Sequence, residues 1–367
     1  MRILVNGIAP DKLGGLEIYL INMNHYMSED CIFDYIFESK STIHEEVIKE
    51  KGGNIFFITR KRRLLRNIYD WNKILKSQKN ISGIVYFNMV LLAWIVPIFI
   101  CYLHGYKIIV HSHNSDLYNC GLLMRILHKF NKKLLKLCKI KRLTNSKLSS
   151  AFLYGDPEAG EMIYNAIDPE HFKFNAEIRD NIRKLYGLEG KAVFGFAGRI
   201  AYEKNLLFLI NIFNEIIKIN NNAVLMIAGE GKFMPEVKTK VIECGIEESV
   251  LLLGNCKNIQ EIYQAMDVFI LPSRFEGLGM ALIEAQASGL PCLTSAGVVP
   301  PEAKATELLK YVALNNNPKE WAQEAINVYN SDTYSRQYGF EKIKDSNFDI
   351  KREALRLEKI LSDYAQN

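Results

Sequence analysis

Short runs of consecutive apolar residues alternate with stretches of helical periodicity along almost the whole chain. Residues 2–7 (RILVNG), 34–39 (DYIFES), 54–59 (NIFFIT), 83–88 (GIVYFN) and 107–113 (KIIVHSH) read as strands, and 16–27 (LEIYLINMNHYM) as a helix. The pattern repeats at 192–198 (AVFGFAG), 223–229 (AVLMIAG), 249–254 (SVLLLG), 268–273 (VFILPS) and 291–295 (PCLTS), each run followed by a helical stretch or a loop. The runs are continuously apolar rather than alternating, which suits strands covered by helices on both faces. Strand–helix alternation in two series predicts two doubly wound α/β domains. A first domain over 1–170, a linker over 171–190 and a second domain over 191–346 follow, and residues 347–367 form a helix long enough to return to the first domain.

Residues 89–103 (MVLLAWIVPIFICYL) are fifteen uncharged residues interrupted by Pro97. A spanning helix needs roughly 20, so a buried crossover helix is the expectation, with a membrane-dipping surface as the lesser reading. Composition changes the picture little: 49% apolar and 24% charged residues suit a globular protein with a sizeable core. The seven cysteines are scattered without C-x-x-C or zinc-ligand spacing and read as reduced thiols of a cytosolic protein, and the first residues lack the features of a signal peptide. Charge matters more. The net +5 comes from the first 170 residues, above all from RKRRLLR (60–66) and KFNKKLLKLCKIKR (129–142). The latter places Phe130, Leu134, Leu137 and Cys138 at helical spacing, so the alternatives are a helix lying on an anionic membrane and a solvated surface helix. Nucleic-acid reader motifs are missing.

Ligands of open α/β sheets sit beyond the carboxyl ends of the strands, and four stretches fall there. PSRFEGLGMALIEA (272–285) ends a strand, turns through Gly277, Leu278 and Gly279, and starts a helix at Met280 whose unpaired amides suit a phosphate. Glu276 and Glu284 flank that start, although acids are favoured near helix N-termini in any case. FAGRIAYEKN (196–205) carries Gly198, Arg199 and Lys204, two cations able to converge on a diphosphate. GIAPDKLGGLEIYL (7–20) leads through Gly14 and Gly15 into a helix, without the G-x-G-x-x-G or G-x-x-x-x-G-K-[ST] fingerprint. IVHSHNSD (109–116) puts His111, His113 and Asn114 at a strand end; no third metal ligand is near, so a hydrogen bond to a polar substrate or a structural role is the reading.

In this order and combination the stretches resemble the retaining nucleotide-sugar glycosyltransferases of family 4. The features are Gly14-Gly15 with Glu17, the histidine after a first-domain strand, YNAID (164–168), GRIAYEKN, AGEGK (228–232) and the E-x7-E element EGLGMALIE. ALIEAQASGLPCLTSAGVVPPEAK and NNNPKEWA look like the branch that builds bacterial capsules and exopolysaccharides. Two departures are Ala166, where the family commonly has glycine, and AGVVPP (296–301), which lacks a glycine-rich turn.

The resemblance implies the GT-B fold, two Rossmann-like domains facing across a cleft, with the nucleotide sugar mainly on the second and the acceptor on the first. By motif, Arg199 and Lys204 would hold the diphosphate, Glu284 the ribose, and Glu276 the sugar hydroxyls with the 277–280 amides. His113 would contact the sugar, and the base would lie against the Gly229–Gly231 loop and the 254–257 turn. It further implies transfer of a hexosyl or N-acetylhexosaminyl unit, most simply from a UDP-sugar, to a lipid-linked glycan at the inner face of the cell membrane. No Asp-x-Asp occurs in the chain, so no metal cofactor is expected, the fixed cations and helix-end amides taking on leaving-group stabilisation. An inverting outcome, another acceptor and a catalytically silent membrane-associated homologue stay open. A dinucleotide-dependent oxidoreductase would need the missing glycine fingerprint.

Overall fold

The structure is a computed structural model and describes residues 1–12, 14–117, 120–331 and 333–366. The chain divides into two compact units, Met1–Ala166 with Ile350–Asn367, and Ile167–Asp349.

The first unit contains strands β1 (Arg2–Asn6), β2 (Ile32–Phe37), β3 (Ile55–Phe57), β4 (Ile84–Met89), β5 (Lys107–Ser112), β6 (Ile140–Thr144) and β7 (Glu161–Met162). They form one sheet in the order β3-β2-β1-β4-β5-β6-β7, and every pairing is parallel. Parallel neighbours need crossovers, which are helices α1 (Gly15–Tyr26), α2 (Glu45–Glu50), α3 (Leu64–Gln78), α4 (Val96–Leu103), α5 (Leu122–Leu135) and α6 (Lys147–Tyr154). Alternate strand residues feed two cores. One joins Ile3, Val5 and Tyr86 to Tyr19, Leu20 and Met23 of α1 and to Ile350, Ala354, Leu357 and Leu361 of the last helix. The other joins Leu4, Val85 and Val110 to Trp71 of α3, Ile98 of α4, Leu135 of α5 and Leu153 of α6.

The second unit opens with α7 (Pro169–Phe172) and α8 (Ala176–Leu185). Its strands β8 (Ala192–Ala197), β9 (Ala223–Ala228), β10 (Val250–Gly254), β11 (Val268–Leu271), β12 (Cys292–Ala296) and β13 (Leu309–Ala313) run parallel in the order β10-β9-β8-β11-β12-β13. The helices are α9 (Leu206–Ile219), α10 (Met234–Cys244), α11 (Ile259–Ala265), α12 (Met280–Ala287), α13 (Pro318–Tyr329) and α14 (Arg336–Lys344). The final helix, α15 (Ile350–Gln366), belongs to the first unit, where Glu353 accepts a hydrogen bond from the Tyr164 amide at 2.7 Å.

Several expectations change. Residues 171–190 are no bare linker: α8 is bound into the second unit by Arg179 and Arg183, which pair with Asp267 and donate to the carbonyls that end α11. Within 89–103, Pro97 sits in the first turn of α4, where its missing N–H costs nothing. Among the described residues no helix is long and apolar enough to cross a membrane. The basic helix expected over 129–142 stops at Leu135, and residues 140–142 enter β6. Its proposed apolar face is split: Cys138 is buried, while Phe130 and Leu137 point to solvent.

Candidate active site

In the second sheet the strand order reverses between β8 and β11, which pair side by side. Loops leaving the carboxyl ends of such neighbours diverge and leave room for a ligand. The two loops here are 198–205 and 272–279, which contain most of the charged residues singled out from the sequence.

Lys204 closes a single 3-10 turn, Tyr202–Lys204, and the next residue, Asn205, takes a left-handed conformation (φ 58°) from which α9 starts. Only a few residue types tolerate that conformation, asparagine among them. The turn aims the Lys204 ammonium at Glu276, with Nζ 2.5 Å from Oε1. Ser273 donates to the same oxygen at 2.7 Å. Both ionic partners are largely withdrawn from water, at 17% and 9% side-chain exposure, so their attraction is weakly screened and their geometry well defined.

Arg199 behaves differently. It pairs with Glu203 and is 70% exposed, so the two cations expected to converge hold two different carboxylates. Arg274 fastens the loops together: its amide donates to the Glu203 carbonyl at 2.7 Å, its guanidinium to the Tyr202 carbonyl at 2.7 Å, and it lies over the Tyr202 ring at 4.1 Å.

Gly279, in the left-handed region at φ 87°, starts α12 with no side-chain cap, which leaves first-turn amides open to an anion. Met280 opens the helix, Gly277 is half-buried and Leu278 is buried beneath the turn. Glu284 lies one turn in and accepts a hydrogen bond from the Tyr263 hydroxyl at 2.8 Å. Burial pushes the Glu284 carboxyl above its ordinary range, against the opposing pull of Tyr263 and Lys204. Burial also keeps the Tyr263 phenol protonated, hence a permanent donor.

Gly198 follows β8, and Gly229 and Gly231 share the neighbouring loop that follows β9. A Cβ on Gly229 would stand 1.9 Å from the Gly198 carbonyl oxygen, and one on Gly231 2.1 Å from that of Ile200. Backbone packing therefore demands these two glycines whatever they bind.

In the first unit, Gly14 caps α1 and its amide donates to Glu17 Oε2 at 2.9 Å, while the Ala9 amide donates to Oε1 at 2.8 Å. The buried Glu17 carboxylate fills the space a Gly14 side chain would need, 2.6 Å from the built Cβ. The start of this helix therefore holds its own anion. Gly15 has no atom within 4 Å of its Cβ position, and Leu13 lies outside the described residues.

His111 is fully buried, with Nδ1 2.6 Å from the Tyr86 hydroxyl. His113 is half-buried; its Nε2 donates to Asn88 Oδ1 at 2.9 Å, and the two imidazole centroids are 3.9 Å apart. Burial pushes His113 down to about 3 and His111 well below the ordinary histidine range, so both rings are neutral near pH 7. Asn114 turns back to the Val90 and Asp116 carbonyls. Among the described residues no group of three His, Cys, Asp or Glu gathers as a metal site.

The sequence did not point to Ser273, Arg274, Tyr263 or Asn88. Ser273 had a signal, an acceptor three residues ahead at a strand end. Tyr263 reads as one more core aromatic on α11, and nothing in the primary structure aims its hydroxyl at Glu284.

An ion-paired lysine, a helix start without a side-chain cap and a recessed carboxylate thus gather at one switch point, groups whose chemistry suits a phosphorylated, hydroxyl-rich ligand. Residues 178–344 match the family described as glycosyl transferases group 1. The chain is 24% identical over 92% of its length, and 91% of the relative's, to the putative glycosyltransferase EpsF of Bacillus subtilis. It is 36% identical to the Escherichia coli UDP-Gal:alpha-D-GlcNAc-diphosphoundecaprenol alpha-1,3-galactosyltransferase, over 39% of this chain and 38% of that one. The structure of HepE from Anabaena, in complex with UDP and glucose, superposes with TM-score 0.79 at 17% identity, over 99% of this chain and all of the other. The second unit thus carries a group 1 glycosyltransferase domain in a chain of GT-B fold, and the protein is a glycosyltransferase acting as a hexosyltransferase.

Proposed function

We propose that the protein transfers a hexosyl or N-acetylhexosaminyl unit from a nucleotide sugar, a UDP-sugar by first choice, to a lipid-linked glycan with retention of configuration, in capsule or exopolysaccharide synthesis. The observation that carries the reading is the clustering of Lys204, Glu276 and Glu284 where β8 and β11 part, beside the uncapped start of α12. HepE with UDP and glucose, and an Escherichia coli relative named for UDP-galactose and a diphosphoundecaprenol acceptor, support the donor and acceptor classes.

In this reading the α12 amides and Lys204 take the diphosphate, with Arg199 as an outer cation. Glu284 accepts from the ribose hydroxyls and Glu276 from those of the sugar. Neutral His113 offers the sugar a hydrogen bond from the first unit. Gly14 and Gly15, Gly198, and the Gly229–Gly231 loop with the base shape the donor's surroundings. As the bond from the anomeric carbon to the phosphate oxygen breaks, the departing phosphate accepts the proton of the acceptor hydroxyl that attacks the same face. Protein cations and amides balance the charge without a metal ion. The enzyme works from the cytoplasmic side of the cell membrane, its basic first unit meeting the anionic surface.

A thermal-shift screen of nucleoside diphosphates and nucleotide sugars tests the donor: UDP and one UDP-sugar should raise the melting temperature. No stabilisation by any nucleotide would refute the reading. Turnover in excess chelator should persist, and activity restored only by Mg²⁺ or Mn²⁺ would remove the metal-free step. The anomeric proton coupling of the product decides between retention and inversion.

A further inference from the structure

Helix α5 has three faces. One faces the core through His128, Asn131 and Leu135. A second bears exposed Lys129, Lys133 and Lys136. The third is apolar yet open to water: Leu122 (74% exposed), Leu123 (66%), Ile126 (54%), Phe130 (57%) and, just past the helix, Leu137 (67%). At i, i+4 and i, i+7 spacings these side chains make one continuous stripe along the side turned away from the sheet. Scattered exposed leucines are ordinary, but a contiguous stripe marks a surface that something covers.

We infer that the outer stripe of α5 is the part of the first unit that inserts into the headgroup region of an anionic phospholipid bilayer. The inference builds on the membrane-side acceptor proposed above and names the surface that meets the lipid.

Charge identifies the occupant. Between Asp116 and Asp156 the chain has no acidic residue, while Arg125, Lys129, Lys132, Lys133, Lys136 and Lys139 lie in or beside α5. A second copy of the chain, joined through the same patch by a two-fold axis, would set these cations against one another. A bilayer with anionic headgroups takes both properties at once, the apolar stripe entering the acyl boundary and the lysines staying at the phosphates. The helix has 14 residues, about 21 Å at the rise of an α-helix, too short to span and suited to lying in the surface plane. The outer side of α3 adds to this. Its core residues pack in the same cluster as those of α5, placing both helices on one face of the sheet, and Leu65 and Tyr69 stand exposed beside Arg62, Arg63 and Arg66.

The test is flotation with vesicles of phosphatidylcholine alone or mixed with phosphatidylglycerol. Wild type should float with the mixed vesicles and bind the neutral ones at least roughly tenfold more weakly, with the difference lost in high salt. The variant Leu123→Gln/Ile126→Gln/Phe130→Gln should lose flotation, and Lys129→Gln/Lys133→Gln/Lys136→Gln should lose the preference for anionic lipid. Both substitute exposed positions, and an unchanged melting temperature verifies their folding. Equal flotation on both lipids, no flotation, or variants that float like wild type would overturn the inference. A wild-type dimer by sedimentation velocity that the apolar variant converts to monomer would overturn it in favour of self-association. The UDP thermal shift is read in parallel: UDP binding without flotation keeps the transferase reading and ends this one, and flotation without UDP binding does the reverse.

Discussion

Glu284 is recessed, bound to Tyr263 and held above the ordinary carboxylate range by burial. In the pH window between its unfolded and its raised folded pKa, the folded protein binds more protons, so this carboxylate gains stability as pH falls and costs it at neutrality. Glu284→Gln should therefore melt no lower than wild type at pH 7 while losing the thermal shift given by UDP. A large drop in melting temperature would mark the residue as purely structural. Lys204→Ala removes the ammonium that holds Glu276 and should slow donor turnover by roughly 10²–10³-fold; steady-state rates near wild type would take it out of the chemistry. Both glutamates and the lysine were legible in the sequence because strand ends, glycine turns and charged side chains leave a local pattern. The pairing of Arg199 with Glu203 was not, because side-chain direction over a short loop depends on what the opposite loop presents, here Arg274.

At the scale of elements, continuous apolar runs located ten of the strands, since a parallel strand covered on both faces cannot alternate. Strands β6, β7 and β13 escaped. The first reads IKRLT with three half-exposed residues, the second has two residues, and the third is an edge strand with only Leu309 and Val312 buried. Polar or half-exposed residues interrupt the first and third and the second is too short, so the apolar run that announces the others is missing. The glycines of AGEGK were legible as a loop, but their purpose lies in neighbouring strand ends. Gly229→Ala puts a methyl 1.9 Å from a backbone oxygen at a positive φ. It should lower stability by roughly 2–4 kcal/mol, measured by urea unfolding, with UDP binding falling because the β8 loop must shift.

Over the whole molecule, the two adjoining imidazoles tie stability to pH. Their folded pKa values lie below that of an unfolded histidine, about 6.5. The unfolded chain therefore binds more protons below that pH, and stability should fall as pH drops from about 6.5 toward 3. Comparing urea midpoints at pH 7.5 and 5 should show a smaller loss for His113→Gln than for wild type; equal losses would mean the ring is protonated when folded. Deleting residues 350–367 removes Ile350, Ala354, Leu357 and Leu361 from a core shared with α1. That truncation should make the first unit protease-sensitive while the continuous second unit keeps its UDP response.

The position of α15 also orders events during synthesis. A ribosome delivers all seven strands of the first sheet, then the whole of residues 167–349, and only afterwards the helix that completes the first core. The second unit can therefore fold while its predecessor waits half-covered, with the α1 side of its sheet open to water. Domains usually fold in the order they emerge; here the last-begun is the first that can finish. For that interval the nascent chain exposes the kind of apolar surface that chaperones bind, and its yield in a cell depends on how quickly residues 350–367 arrive.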